Sequence, residues 1–263
     1  MSFPDHTTSA PCSKSSAAGR NAGALHGAAP ASAILLRDVS VTAGGRTLLR
    51  DASATFAPGE LVALIGRNGA GKSTLLRSIA GLHKGFSGTI ALMGDPAPTP
   101  ARRAHAMAYV ATGRIRLQSM RVSELVALGR APLTGWAGRL SSTDREAIDR
   151  AMDMTGVTPM ANRAIDTLSD GEAQRVMIAR AIAQDTPIIM LDEPTSYLDI
   201  PARVELCRLF RSLADNGRCI LFTTHELDLA STYSSTIALI HDSSLLTGSP
   251  DSMATAISSA FSL

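Results

Sequence analysis

Leu61-Val62-Ala63-Leu64-Ile65-Gly66-Arg67-Asn68-Gly69-Ala70-Gly71-Lys72-Ser73-Thr74 decides the fold: five apolar residues run into three glycines and a Lys-Ser-Thr, and a helical pattern continues over 75–80. The apolar run predicts a buried strand, and the glycines predict a tight loop that opens a helix. Strand, loop and helix in that order, with four residues between Gly66 and Gly71 and Lys72-Ser73 following, are the pattern of a phosphate-binding P-loop. Gly66, Gly69 and Gly71, with Asn68 in the same turn, allow backbone N–H groups to face phosphate oxygens, and the helix N-terminus adds partial positive charge. Lys72 is placed to bridge the β- and γ-phosphates, Ser73 to ligate Mg²⁺, and Thr74 completes the nucleotide-binding set.

Farther along, Ile188-Ile189-Met190-Leu191-Asp192-Glu193 is a second apolar strand, ending in two acids. A buried strand gains nothing from terminal carboxylates unless a cation or a proton needs them. Asp192 is therefore expected to hold Mg²⁺, and Glu193 to polarise the attacking water as general base.

Around these two segments the 263-residue chain carries 45% hydrophobic and 18% charged residues and a formal charge of +2, which describes a globular protein and excludes net charge as the route to nucleic acid. The apolar runs 61–65, 188–191 and 237–240 are far shorter than the roughly 20 residues that span a bilayer. Cys12, Cys207 and Cys219 show no metal-ligand spacing and suit a reducing compartment. Residues 1–33 are rich in Ala, Ser, Gly and Pro and lack the continuous apolar segment of a secretory signal, so they are expected to form a disordered tail; His6, Cys12 and His26 are read as tail residues rather than metal ligands. From residue 34 onward strand candidates at 34–41, 61–65, 89–93, 107–110, 188–191, 220–223 and 237–241 alternate with helices, the pattern of an α/β chain. Between 110 and 168 the sequence reads as mainly helical, with 122–128 as one helix and a Thr143/Glu146 capping box opening another through Met154.

Three further motifs follow the P-loop in order: Leu168-Ser169-Asp170-Gly171-Glu172 before a helix, Thr195-Ser196-Tyr197-Leu198-Asp199 after the acidic strand, and His225 after the strand at 220–223. With these, the chain from residue 34 to its C-terminus resembles the ATPase subunit of ATP-binding cassette (ABC) transporters. The resemblance implies an ABC ATPase domain over 34–263: a P-loop NTPase core with a mixed sheet flanked by helices, and a helical subdomain at about 111–175 inserted between the P-loop and the acidic strand that ends in Asp192 and Glu193, the family's Walker B strand. It implies ATP and Mg²⁺ as cofactors and a head-to-tail homodimer, in which Ser169 and Gly171 of one copy meet the nucleotide on the P-loop of the other. Asp199 then joins the two sites, and His225 contacts the γ-phosphate.

The sequence departs from the family pattern in three places. Ala43-Gly44-Gly45-Arg46 has no aromatic ring where one usually stacks on adenine, leaving the Arg46 guanidinium to cover the base. Tyr109-Val110-Ala111-Thr112 ends in Thr112 where the family usually has a metal-contacting glutamine, with Gln118 farther along the same loop. Asp170 and Glu172 replace the usual glycine and glutamine, and negative side chains favour a helix N-terminus.

Segments 122–130, 136–140 and 195–200 are similar to those of importers of iron complexes, siderophores and haem, and more distantly of cobalamin. That resemblance implies a separate transmembrane permease, a substrate-binding protein, a place on the cytoplasmic side of the membrane and no nucleic-acid partner. The helical insertion, the 112–120 loop and Trp136 are candidates for the permease contact. The alternatives are a soluble cassette ATPase of iron–sulfur cluster assembly and a non-hydrolysing regulatory subunit.

Overall fold

The computed structural model describes residues 32–113, 119–134 and 138–262. The tail expectation for 1–33 lies outside these except at its end, where Ala33 is buried and its N–H donates to Phe56 O at 2.8 Å.

Strands β1 (Ile34–Ala43) and β2 (Arg46–Phe56) form a hairpin through Gly44 and Gly45, both at positive φ, the two-residue turn whose twist matches the flanking strands. Strand β4 (Phe86–Leu92) pairs antiparallel with the other edge of β1, giving a three-stranded sheet β2-β1-β4. The sequence does not announce β2, because Arg50, Asp51, Ala52 and Ser53 in its middle have low strand preference.

The larger sheet has the order β5-β6-β7-β3-β8-β9. Its members are β3 (Leu61–Gly66), β5 (Met107–Val110), β6 (Ile188–Leu191), β7 (Cys219–Thr223), β8 (Thr236–His241) and β9 (Ser244–Gly248). The first five in that order run parallel and β9 is an antiparallel edge, so the sheet is mixed. β9 was also not expected; its hairpin is made by Asp242 and Ser243, both at positive φ.

Every residue of β3 is buried, and its two faces enter different cores. Leu61, Ala63 and Ile65 join the core on the side of the later helices, while Val62 and Leu64 face the small sheet and helix α1 (Lys72–Ile79). A strand covered on both faces reads as an unbroken apolar run, which is how 61–65 looks in sequence. Helices α5 (Asp170–Ala183), α6 (Ile200–Asp215) and α8 (Pro250–Phe261) fill the first of these cores through residues such as Val176, Phe210 and Ile257.

The named elements between β5 and β6 are all helical: α3 (Val122–Ala127), α4 (Ser142–Met154), α5 and three short 3₁₀ turns. α5 passes without a break through position 175, where the helical insertion was expected to end. The capping box of α4 is a correction: it is Ser141 with Asp144, not Thr143 with Glu146. Ser141 Oγ accepts from Asp144 N at 3.1 Å, and Asp144 Oδ2 accepts from Ser141 N at 2.9 Å. The earlier pair prevails because Asp144 also meets the Arg130 guanidinium at 2.8 Å, both side chains buried, and this anchors the first turn. Two more helices complete the fold, α2 (Pro100–Ala106) and α7 (Leu227–Tyr233). Cys207 and Cys219 are buried free thiols of the core.

Candidate active site

Strands β6, β7 and β3 are parallel neighbours, so their carboxyl ends lie at one edge of the sheet. That edge carries the loop 66–71 after β3, Asp192 and Glu193 after β6, and Thr224 and His225 after β7, which brings together segments far apart in the chain. The loop's sharpest constraint is Gly66: its φ is +152°, and a Cβ there would lie 2.7 Å from Ile240 O. Gly71 caps α1 at φ +105°, with no side chain satisfying the first-turn N–H groups. Those donors point to an anion at the helix start. An open cavity of about 180 Å³ follows, lined by Leu48, Asn68, Gly69, Gly71, Lys72, Ser73, Thr74 and Glu193. Leu48 was not foreseen; it comes from β2, the strand the sequence conceals.

Lys72 is buried, and its Nζ donates to Gly66 O at 2.7 Å and to Arg67 O at 3.3 Å. Burial holds its pKa below the usual lysine value, against the opposing pull of Glu193 and Asp192. Asp192 is 0% exposed. Its Oδ1 accepts from Ser73 Oγ at 2.9 Å and from Thr223 Oγ1 at 2.8 Å, whereas its Oδ2 is buried with no partner among the described residues. A buried carboxylate oxygen without a donor is costly unless a cation takes it. Ser73 and Asp192 are hard oxygen donors already in contact, so the set fits Mg²⁺. Thr223, also missed in sequence, organises both acids: its hydroxyl donates to Asp192 and accepts from Glu193 N at 2.7 Å. Glu193 sits at φ +50°, and its Oε2 accepts from Ser196 Oγ at 3.3 Å. His225 is exposed at the end of β7 and has no hydrogen-bond partner among the described residues.

Ser169, Gly171, Asp199 and Thr112 do not line this cavity. Ser169 caps α5: its Oγ accepts from Glu172 N at 3.3 Å, and Glu172 Oε2 accepts from Ser169 N at 2.7 Å. The Ser169 backbone bond is the main cause holding the Glu172 carboxyl below the usual carboxylate range, with help from Arg163 at 2.8 Å. The sequence departure at 172 is thus a working cap. Gly171 packs closely: a Cβ there would lie 3.2 Å from both Leu198 Cδ2 and Tyr197 O, so the start of α5 abuts the 195–199 loop of its own chain. Asp199 is exposed and caps α6, its Oδ1 accepting from Ala202 N at 3.0 Å. Thr112 is exposed past β5, and Arg46 is exposed at the hairpin tip. Gln118 and Trp136 lie outside the described residues.

The family model of the ABC transporter matches residues 49–196, from β2 to the loop after Glu193. The chain belongs to the ABC transporter family. It is 38% identical over 214 residues to a probable siderophore transport system ATP-binding protein of Bacillus subtilis, covering 80% of this chain and 78% of that one. It is 34% identical to an achromobactin transport ATP-binding protein of Dickeya dadantii (80% and 79% covered) and 37% identical to a hemin import ATP-binding protein of Gloeobacter violaceus (81% and 80%). Its fold matches a dimeric bacterial ABC transporter cassette with a TM-score of 0.73 at 25% identity, covering 82% of this chain and 98% of the cassette. As an ABC transporter subunit the chain is an ATP-binding ATPase. No helix among the described residues is long and apolar enough to cross a membrane.

Proposed function

We propose that this chain hydrolyses Mg·ATP to drive uptake of an iron complex, a siderophore or haem, through a separate membrane permease. The observation that carries the hydrolytic part is the cluster at the strand ends: an uncapped helix start, Lys72 beside it, Ser73 on Asp192, and Glu193 on the cavity wall. The cargo class rests on relatives named for siderophore and hemin transport.

In this reading the loop amides of 66–71 bind the phosphates, and the Lys72 ammonium, now donating to Gly66 O and Arg67 O, turns its protons to the β- and γ-phosphate oxygens. Ser73 and Asp192 would hold Mg²⁺, which neutralises charge on the phosphates when bound. Glu193 accepts the proton of the attacking water, held in place by Thr223 and Ser196. His225 contacts the γ-phosphate. Ser169 and Gly171 of a second copy close over the nucleotide, with Asp199 between the two sites, and ATP favours this closed homodimer until hydrolysis releases it. The subunits sit on the cytoplasmic face of the membrane, held by the permease, with a substrate-binding protein on the other side.

The test is size-exclusion chromatography of Glu193→Gln with saturating Mg·ATP, beside phosphate release by the wild-type protein. A nucleotide-dependent dimer and wild-type turnover are expected. A protein with no affinity for Mg·ATP, or a variant that stays monomeric with it, overturns the reading. Uptake of labelled ferric siderophore or haem in cells carrying Glu193→Gln, against the wild type, tests the cargo: unchanged uptake of both removes iron complexes from the proposal.

A further inference from the structure

Glu226, next to His225, is tied to the 195–199 loop. Its Oε1 accepts from Thr195 Oγ1 at 2.7 Å, and its Oε2 accepts from Arg203 Nη1 at 2.9 Å, with the carboxylate largely buried. Arg203 reaches that loop too, its Nε donating to Leu198 O at 2.8 Å. On the other side of the histidine, Thr224 is buried, its N–H donates to Leu64 O at 3.2 Å, and its hydroxyl accepts from Glu226 N at 3.0 Å. His225 is therefore the exposed residue between two anchored ones, and one of its anchors is the 195–199 loop. That loop also touches Glu193 through Ser196 and Gly171 through Leu198 and Tyr197, and it presents Tyr197 to solvent, 59% exposed, beside Ile200 at the start of α6, 74% exposed.

We propose that Glu226 is a positioning residue for ATP hydrolysis. With Arg203 and Thr195 it fixes the His225 backbone relative to the 195–199 loop, so that a second copy seated on that loop sets the histidine's distance from the γ-phosphate. This role rests on the ATPase reading above. Its physical basis is that a carboxylate with one donor from the loop and one from α6 moves with both, whereas a single bond leaves the loop free to swing. A small displacement of a group at the reacting phosphate costs rate far more than ground-state binding.

The experiment compares kcat and KM for Mg·ATP, normalised to titrated nucleotide sites, in wild type, Glu226→Ala, Arg203→Ala, the double variant and Thr195→Val, with thermal melts for each. Glu226→Ala is expected to lower kcat about tenfold with KM within about twofold. Arg203→Ala should do the same, and the double variant should fall no further, because both remove one linkage. Thr195→Val, which removes a single hydroxyl, keeps the test decisive should either larger change prevent folding; it should lower kcat about threefold at unchanged KM. Arg211→Ala, which removes an exposed ion pair to Asp215 on the same helix, should leave both constants within about twofold. Wild-type kcat in Glu226→Ala or Thr195→Val, single losses that multiply in the double variant, or a loss carried by KM overturns the role. Absence of turnover by the wild-type protein takes down the ATPase reading and this role with it.

Discussion

At Gly66 two demands coincide: φ is +152°, where side chains are strained, and a Cβ would press on Ile240 O at 2.7 Å. Gly66→Ala should therefore distort the loop, costing about 1–3 kcal/mol in a denaturant titration and removing measurable nucleotide binding by isothermal titration. Ser73 is a different case, because Asp192 keeps its Thr223 hydrogen bond when the serine hydroxyl is lost. Ser73→Ala should fold normally, yet need roughly tenfold or more Mg²⁺ for half-maximal turnover, read from a Mg²⁺ titration at fixed ATP. Chelation of divalent cations should abolish turnover in both proteins. The residue types at 66–74 and 192–193 are legible in sequence because local chemistry demands them. Thr223 and Leu48 are not, since a threonine ending a strand and a leucine within one are what any sheet contains.

Among the helices, α4 depends most plainly on its first turn. Ser141→Ala removes its cap and should cost about 1 kcal/mol, read as a lower midpoint of chemical unfolding. Hydrogen bonds from the Ser141 side chain and backbone, followed by that of Arg130, hold the Asp144 carboxyl at about 2, below its ordinary 3.8. A carboxylate depressed in the folded state contributes stability that is complete above 3.8 and is lost as pH falls toward 2. The difference in melting temperature between wild type and Asp144→Asn should accordingly be widest near neutral pH and narrow across that acid window. The boundary of α4 was misjudged from sequence because Thr143/Glu146 and Ser141/Asp144 satisfy the same local rule. Only Arg130, brought in from the neighbouring 3₁₀ turn, separates them.

For the whole molecule, the mixed sheet divides two cores, and β3 contributes to both while leading into the 66–71 loop. Leu64→Ala should cost about 2–5 kcal/mol and weaken nucleotide binding as the strand end shifts, measured by thermal melts with and without ATP. If two copies complete the sites, specific activity should rise with protein concentration, and the ATP dependence should show a Hill coefficient between about one and two, a non-sigmoidal and concentration-independent rate being the contrary result. What the sequence by itself determined is the fold class, the strand-loop-helix over 61–79, and the identity of the acids that stand beside it, because backbone geometry and charge at those positions admit few residue types. Tertiary structure alone decided which strand ends stand side by side, that Leu48 from a concealed strand walls the cavity, that Gly171 packs closely against the 195–199 loop, and that Glu226 ties that loop to the residue next to His225. Those relations join residues from 20 positions apart, Leu48 and Asn68, to 174 apart, Gly66 and Ile240, and side chains so distant in sequence share no local pattern until the sheet aligns their strands.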